Sequence, residues 1–136
     1  MSDWNQQIID EFRANGGTVQ TGGFGRGLVL LHHVGAKSGA ERISPVAGIR
    51  TSPHTWLVAA SAAGRDHHPA WYHNLVAHPD VSIETPDDGT VEVHAVDLPR
   101  PERDAGWALF LERSEGFRSY EKKTSRLIPV LELRRR

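Results

Sequence analysis

The segment SAAGRDHHPAWYHNL, residues 61–75, combines small residues, a proline and an aromatic pair in a way that suits the binding of a flat anionic ligand. The small side chains from Ser61 to Gly64 would let a ligand approach the backbone closely. Pro69 suits the first position of a helix, because a missing N–H costs nothing there. The exposed N–H groups of that first turn would favour a phosphate or a carboxylate. The segment therefore predicts a cradle for an anionic ligand.

A second candidate binding element is the turn GAKSGAER, residues 35–42. Lys37, Ser38 and Arg42 place two cations and a hydroxyl in or just after a turn with two glycines, and such a set can hold a phosphate-like group. Exposed turns are often basic for no functional reason, so the turn by itself does not define a site. Because the loop at 61–64 follows another strand of the same predicted sheet, we expect the two elements to bracket one ligand.

Two aromatic residues could contact such a ligand. Trp71 lies two residues after the predicted helix start, where it could form a wall for a flat ring, and a buried structural tryptophan is the equal alternative. The hydroxyl of Tyr120, in the segment EGFRSYEKK, could donate a hydrogen bond or a proton to a carbonyl or nitro group. A surface tyrosine without a role is the equal alternative there.

Other chemistries have less support. Four histidines lack the spacing of three or four residues that places two metal ligands on one helical face, namely His67, His68, His73 and His78. His32 and His33 are adjacent on a predicted strand and point to opposite sides of it, so they are expected to be packing or surface residues. Ser61 has no glycine-flanked elbow and no evident His and Asp partners, so we expect neither a metal site nor a hydrolase triad.

Composition narrows the class of protein. The 136 residues predict one domain, 1–136, which can bury a core but cannot hold separate cofactor and substrate domains. The 16 basic and 17 acidic residues give a formal charge of −1, which argues against nucleic-acid binding. The absence of cysteine excludes a thiol nucleophile and favours a cytoplasmic setting, where redox chemistry would need a bound cofactor. No apolar run approaches the ~20 residues needed to cross a bilayer.

The N-terminal segment predicts an amphipathic helix that ends near Asn15. Trp4, Ile8 and Phe12 fall four residues apart and form one apolar face. This face could make a weak peripheral contact with the inner face of a membrane. Acidic residues on the other faces would be repelled by anionic lipid, so we expect the helix to pack on the domain as a lid.

The rest of the chain reads mainly as strands. Apolar runs and alternations between turn signals predict strands at 28–34, 42–50, 55–60, 81–84, 90–97 and 128–133. Helices are predicted at 68–78 and from Pro101 to a break at Gly116. Strands joined mainly by tight turns predict an antiparallel meander that closes into a small barrel, so the fold class is α+β and mainly β.

Three segments resemble the deazaflavin-dependent nitroreductase family in sequence and in order, and together they span nearly the whole chain. They are GAKSGAER, then SAAGRDHHPAWYHNL with VAHPDVSIE, and finally EGFRSYEKKTSRLIPVLEL. The resemblance implies a split β-barrel related to flavin-binding oxidoreductases, with helices that flank the barrel. It also implies coenzyme F420, a 5-deazaflavin whose tail carries a phosphate and glutamates, and an actinobacterial setting.

The resemblance also implies a set of contacts. The residues near the tail of the cofactor, and then along it, would be Ala36, Lys37, Ser38, Arg42, Ile43, Ser44 and Pro45. Backbone contacts to the deazaflavin and its sugar-like chain would come from Ala59, Ala60, Ser61, Ala62 and Gly64. The opposite wall would be Pro69, Ala70, Trp71, Tyr72, His73 and Asn74. Phe117 and Tyr120 would contact the substrate, although relatives carry further tyrosines where Ser114 and Phe117 stand here.

The sequence therefore predicts an F420H2-dependent oxidoreductase that passes a hydride to a quinone, a nitroaromatic or an activated alkene. Tyr120 is the first candidate for the group that donates where negative charge develops on this small-molecule acceptor. One alternative keeps the barrel and binds FMN, because a phosphate site and a flat slot serve either molecule. Another alternative is a protein that binds the deazaflavin without catalysis. The natural acceptor and the oligomeric state are left open.

Overall fold

Six antiparallel strands close into a barrel in the order β1-β2-β3-β6-β5-β4. They are β1 (Leu28–Val34), β2 (Glu41–Ser52), β3 (Thr55–Ala59), β4 (Asp80–Thr85), β5 (Gly89–Asp97) and β6 (Val130–Arg135). The structure is a computed structural model, and it describes residues 3–136 without the side chain of Asp3. Every strand pairs with two neighbours, which closes the barrel, and β2 pairs with β1 over Glu41–Ala47 and with β3 over Gly48–Ser52. The split-barrel prediction is confirmed.

The strand order differs from the predicted meander. β1 to β3 follow one another, and β4 and β5 form a second hairpin, but β6 lies between β3 and β5 while β4 pairs with β1. The order follows from the burial of β6, whose residues Val130 and Leu131 point to opposite faces and are both buried. A strand covered on both faces is stable between two other strands, whereas turn residues indicate only which neighbours form hairpins.

Four helices lie outside the barrel: α1 (Asp3–Ala14), α2 (Ala70–Ala77), α3 (Glu102–Arg113) and α4 (Glu115–Lys123). Short 3₁₀ turns occupy Thr21–Gly23 and Ala62–Gly64. The predicted break at Gly116 is wrong, because α3 ends at Ser114 and α4 starts immediately after it. The hydroxyl oxygen of Ser114 accepts the N–H of Gly116 at 3.1 Å and so caps the new helix.

Helix α2 is shorter than predicted. It begins at Ala70, so Pro69 lies in the extended cap position with φ −66° and ψ 153° and not in the predicted first helical position. The physical reason for the proline is unchanged, since its fixed φ and missing N–H are compatible with a helix start. The helix ends at Ala77, where the N–H of His78 still bonds to the carbonyl oxygen of Asn74 at 2.8 Å.

The core has three parts. The barrel interior is filled by buried apolar side chains from every strand, among them Val29, Leu31, Val46, Val58, Ile83, Val93 and Leu133. A second cluster packs Ile8, Ile9 and Phe12 of α1 against the outer face of β1. A third packs Trp107 and Phe110 of α3 against the outer face of β3 and β6. The prediction that the N-terminal helix covers the domain is confirmed. Among residues 3–136, the helices are too short or too polar to cross a membrane.

Candidate active site

The first cavity lies between the basic turn that joins β1 to β2 and the first turns of α2. It measures about 390 Å³ and is lined by Gly35, Ala36, Lys37, Ser38, Arg42, Ala70, His73 and Asn74. The two sides are joined by the N–H of Ala36, which donates to Oδ1 of Asn74 at 2.9 Å. The structure therefore brings the predicted basic turn and the predicted helix start together. We call this space the cationic cavity.

The positive charge of the cationic cavity is not compensated by the protein. Lys37 and Arg42 are exposed, and neither forms an ion pair with a carboxylate within residues 3–136. Other arginines do have partners, as in Arg26–Asp87 at 2.7 Å and Arg50–Asp88 at 2.6 Å. Two unpaired cations beside a cavity attract an anionic ligand through solvent. The donor set of this cavity therefore fits a phosphate or several carboxylates.

The small-residue loop after β3 has an unusual backbone. Ala62 and Ala63 adopt left-handed φ values of 48° and 55°, and Gly64 follows at 81°. The N–H of Gly64 bonds to the carbonyl oxygen of Ser61, whereas the N–H groups of Ala62 and Ala63 have no acceptor within residues 3–136. A Cβ on Gly64 would lie 2.9 Å from the carbonyl oxygen of Tyr120. The loop is thus pressed against α4 and offers two backbone donors to a ligand.

Arg126 holds this loop in place. Its Nη2 and Nε atoms donate to the carbonyl oxygens of Ser61 and Arg65 at 2.8 Å each. Its Nη1 atom lies 3.2 Å from the carbonyl oxygen of Ala60 and 2.9 Å from Nδ1 of His68. Because guanidinium is a donor at every nitrogen, Nδ1 of His68 accepts and the ring is neutral. Burial and the charge of Arg126 both lower the pKa of His68, in agreement with this contact.

Some predicted ligand contacts are used by the fold itself. The N–H of Ala60 donates to the carbonyl oxygen of Pro129 at 2.9 Å, and its own carbonyl accepts from Arg126. Ala59 pairs with Val130 in the sheet and is buried. Ala59 and Ala60 thus set the position of the loop, whereas Ser61 and Ala62 are half-buried and within reach of solvent.

The aromatic residues of α2 lie outside the cationic cavity. Trp71 and Tyr72 are half-buried and pack against the barrel core. The hydroxyl of Tyr72 donates to Oδ2 of Asp97 at 2.5 Å, and its ring lies 4.6 Å from the ring of His68. Burial and the negative charge of Asp97 raise the pKa of Tyr72 to about 12, so its hydroxyl stays protonated. In this structure α2 turns Ala70, His73 and Asn74 toward the cations and Trp71 toward the core.

A second cavity of about 610 Å³ lies between α4, the end of α3 and the glycine-rich segment before β1. We call it the aromatic cavity, and its lining includes Trp4, Phe24, Ala47, Arg113, Phe117 and Tyr120. Phe117 and Tyr120 were predicted as substrate contacts, whereas Trp4 and Phe24 were not. The exposed fractions of Trp4 and Phe24, 49% and 40%, are large for aromatic residues, and such exposure is typical of a binding surface. The sequence gives no measure of this exposure.

Strand β2 joins the two cavities. Arg42 lines the cationic cavity and Ala47 lines the aromatic cavity. Five residues of extended strand separate them by about 16 Å. The predicted contacts Ile43, Ser44 and Pro45 lie between these two positions and are half-buried. Because side chains alternate along a strand, Arg42 and Ala47 leave opposite faces of β2, and Ala47 packs with the cluster outside the barrel.

Comparison with known proteins decides the family. The family model described as F420H(2)-dependent quinone reductase matches residues 4–134. An F420H(2)-dependent quinone reductase of Mycobacterium tuberculosis (strain ATCC 25618 / H37Rv) is 36% identical over 110 residues, which cover 79% of this chain and 73% of that protein. The chain belongs to the F420H(2)-dependent quinone reductase family. The resemblance to deazaflavin-dependent enzymes is thereby confirmed, and the cofactor of this family is coenzyme F420.

Solved structures agree with this family. One, described as an F420-H2 dependent reductase, is 35% identical with a TM-score of 0.71 and covers 79% of this chain and 94% of its own. Another, described as a domain-swapped dimer, is 32% identical with a TM-score of 0.72 and covers 96% and 97%. The haem storage protein HutZ of Vibrio cholerae, 18% identical with a TM-score of 0.61 over 96% of this chain and 89% of its own, shares the fold alone.

The role of Arg126 can be tested by replacement with lysine, which keeps the charge but cannot reach three carbonyls and a ring nitrogen at once. We expect amide hydrogen exchange in residues 60–68 of Arg126→Lys to become about tenfold faster, because the loop loses hydrogen bonds that hold its left-handed residues. The matched control is Arg118→Lys, since exposed Arg118 makes only a 3.7 Å ion pair with Glu115. Equal exchange in Arg126→Lys and Arg118→Lys would contradict the role of Arg126 in holding the loop.

A pH dependence of stability follows from His33, which is 3% exposed. Burial, then the charges of Arg42 and His32, lower the pKa of His33 to about 4. Between its ordinary value of 6.5 and about 4 the unfolded chain binds a proton that the folded chain does not, so stability falls as the pH falls through this window. In urea unfolding, the free energy of unfolding of the parent should fall by about 2 kcal/mol between pH 7 and pH 5 because of His33. This contribution should be absent from His33→Gln. Identical losses of stability in the parent and in His33→Gln would contradict the assignment of this pH dependence to His33.

Proposed function

We propose that this protein transfers a hydride from reduced coenzyme F420 to a quinone, with nitroaromatics and activated alkenes as further acceptors. The observation that carries the proposal is the pair of cavities along β2, one with two unpaired cations and the other with aromatic walls. When bound, the reduced deazaflavin supplies the hydride, so the protein needs no side-chain nucleophile. The residues of the chain bind, orient and exclude water.

The acidic tail of the cofactor is assigned to the cationic cavity. Lys37 and Arg42 supply charge, and Ser38 supplies a hydroxyl that already accepts the N–H of Ala40 at 3.2 Å. The two cations are free to bind phosphate and glutamate oxygens because no carboxylate of residues 3–136 neutralises them. The contact between Ala36 and Asn74 keeps the turn against α2, so that the cations stay over the cavity.

The ring and the sugar-like chain are assigned to β2 and to the loop after β3. Ile43, Ser44 and Pro45 are half-buried, and Ala62 offers an N–H that has no acceptor among residues 3–136. A backbone N–H that is fixed in direction orients a ring without the entropy cost of a flexible side chain. The residues from Pro69 to Asn74 complete the proposed wall. FMN is the less suitable occupant, because the family depends on F420H(2).

The acceptor is assigned to the aromatic cavity, where Tyr120 carries the proposed chemistry. Its hydroxyl has no hydrogen-bond partner within the described part of the chain and is therefore free to donate to the acceptor. A donor aimed at an oxygen stabilises the negative charge that develops there during reduction. The ring of Tyr120 is held by Phe117 in an edge-to-face contact at 5.9 Å. Phe24 and Trp4 border the same space and would exclude water.

The direct experiment mixes reduced F420 with the protein and menadione and follows the absorbance of the cofactor as it is reoxidised. Reoxidation well above the rate without protein supports the proposal. Tight binding of F420 with no reoxidation by any quinone or nitro compound would favour a protein that binds the deazaflavin without catalysis. Tight binding of FMN with no binding of F420 would favour the flavin alternative.

The cationic cavity makes a specific kinetic prediction. Replacing both Lys37 and Arg42 with Gln should raise KM for F420H2 about 100-fold and leave kcat with menadione within threefold, because the change removes tail binding and leaves the reacting groups in place. Arg100→Gln is the control for loss of a cation, since Arg100 lies before α3 and pairs with Asp104 at 3.0 Å. An unchanged KM in the double variant would be inconsistent with the assignment of the tail.

The chain contains two tyrosines, which gives a matched pair for the proposed donor. Tyr120→Phe should lower kcat with menadione about 100-fold, the usual effect of removing one donor to a developing oxyanion, and leave KM for F420H2 unchanged. Tyr72→Phe keeps the ring that belongs to the proposed wall and removes only a hydroxyl that is bonded to Asp97, so its kcat should stay within threefold of the parent. Full turnover by Tyr120→Phe would remove this residue from the mechanism.

We propose a cytoplasmic protein that makes, at most, a weak peripheral contact with the membrane. Ile8 and Phe12 are buried against the barrel, so the apolar face of α1 leaves Trp4 exposed, with Phe24 close by on the same cavity. Sedimentation with phosphatidylcholine vesicles should carry down a minor fraction of the parent and none of Trp4→Ala. A parent that never sediments with the vesicles would contradict this contact.

A further inference from the structure

A buried network of hydrogen bonds connects the basic turn to β2 through His33, and we call it the His33 network. The N–H of Ala36 donates to Oδ1 of Asn74 at 2.9 Å. Nδ2 of Asn74 lies 2.9 Å from Nδ1 of His33. Nε2 of His33 lies 2.9 Å from Oγ of Ser44. Four residues from β1, β2, α2 and the intervening turn are thus joined in series.

The direction of every hydrogen bond in the His33 network follows from its first member. A backbone N–H can only donate, so the atom of Asn74 that faces Ala36 is the carbonyl oxygen. The amide nitrogen of Asn74 then faces His33, and it too can only donate. Nδ1 of His33 must therefore accept, which leaves the proton on Nε2. Nε2–H donates to Ser44, whose hydroxyl proton is left free to turn to another acceptor.

Burial keeps this arrangement in one state. His33 is 3% exposed and Asn74 is 6% exposed, so an unpaired polar atom here would be costly. A proton on Nδ1 of His33 would face the amide nitrogen of Asn74 and the positive charge of Arg42. The other titratable groups near His33 line a small space beside it. They are His32, Glu41, Asp80, Glu92 and Arg136. Within residues 3–136, the hydroxyl of Ser44 has no other hydrogen-bond partner than His33.

Ser44 lies on β2 next to Arg42, which lines the cationic cavity. It lies two residues after Arg42 on β2, so the two side chains leave the same face of the strand. The hydroxyl of Ser44 is half-buried and its oxygen is occupied by His33. An oxygen-rich ligand held by Arg42 is the acceptor that this hydroxyl can reach along the strand.

We propose that His33 is a positioning residue of the cofactor site, where its Nε2–H tautomer directs the hydroxyl proton of Ser44 to an acceptor oxygen of the ligand and fixes Asn74 against the basic turn. The identity of the ligand rests on the proposed function, and the tautomer of His33 does not. Loss of His33 therefore weakens binding through Ser44 and Ala36, although His33 itself does not contact the ligand.

The tautomer is tested on the ligand-free protein by ¹⁵N NMR of the histidine rings, with His33 assigned by its absence from His33→Gln. We expect Nδ1 to be unprotonated and Nε2 to carry the proton at every pH from 8 to 5. A proton on Nδ1, or titration near pH 6 to 7, would overturn the proposal whatever the protein binds.

The function of the network is tested by F420 affinity, measured from the fluorescence of the cofactor. We expect His33→Leu and Ser44→Ala each to bind F420 about tenfold more weakly, and the double variant to be no more than about threefold worse than either, because both changes break the same series of bonds. His33→Gln supplies an acceptor oxygen and a donor nitrogen in place of the ring, so it should bind within about threefold of the parent.

Two affinity results would overturn the proposal. One is parent-like binding by His33→Leu, and the other is a double variant whose losses multiply to about 100-fold, which would mean that His33 and Ser44 act independently. Thermal unfolding of each variant shows whether it is folded at the assay temperature. If His33→Leu is not folded, His33→Gln still allows the role of His33 to be compared with that of Ser44. A parent that fails to bind F420 overturns the proposed function and the ligand assigned to Ser44, and the NMR result then decides on the tautomer alone.

Discussion

Pairing of β2 with two neighbours in succession is the constraint on which the proposed site depends. The strand bonds to β1 from Glu41 to Ala47 and to β3 from Gly48 to Ser52. A strand held in register by one neighbour over its first half and by another over its second half cannot slide without breaking several hydrogen bonds. The two cavities at Arg42 and Ala47 are therefore held about 16 Å apart by the backbone of one strand.

The loops around β2 are held by side chains that sequence reasoning did not identify. Arg126 follows α4 and holds a loop that lies 61 to 66 residues earlier in the chain. His33, expected to be a packing or surface residue, connects Asn74 and Ser44, which are 41 and 11 residues away. Contacts over such separations leave no periodic pattern in a sequence. A buried polar residue is recognised only when its partners are known.

Much of the fold was accessible from local signals. The apolar run at Leu28–Val34 and the alternation in β5 each match a strand in the structure, because burial on one or two faces imposes these patterns. The position of β6 was not accessible, since turn residues report neighbours in sequence and β6 pairs with strands reached through long connections. The break predicted at Gly116 was also misplaced, because Ser114 follows the last residue of α3 and caps α4.

The proposed site could likewise be predicted from the sequence only in part. The basic turn and the start of α2 both line the cationic cavity, whereas the loop at 61–64, which was predicted to bracket a ligand with the basic turn, is not part of its lining. The aromatic side chains could not be allocated from the sequence. Trp71 packs on the core, whereas Trp4 and Phe24 come from the N-terminal region to border the second cavity. Which aromatic residue faces a cavity is decided by tertiary packing.

The central claim is that the uncompensated charge of Lys37 and Arg42 receives the acidic tail of the cofactor. The most direct measurement compares the affinity for F420 with the affinity for the same deazaflavin without its phosphate and glutamates, each at low and high salt. At low salt, we expect F420 to bind at least about 100-fold more tightly than the deazaflavin without the tail. This difference in affinity should shrink at high salt, because salt screens the two cations. Equal affinities for the two molecules, unaffected by salt, would contradict it.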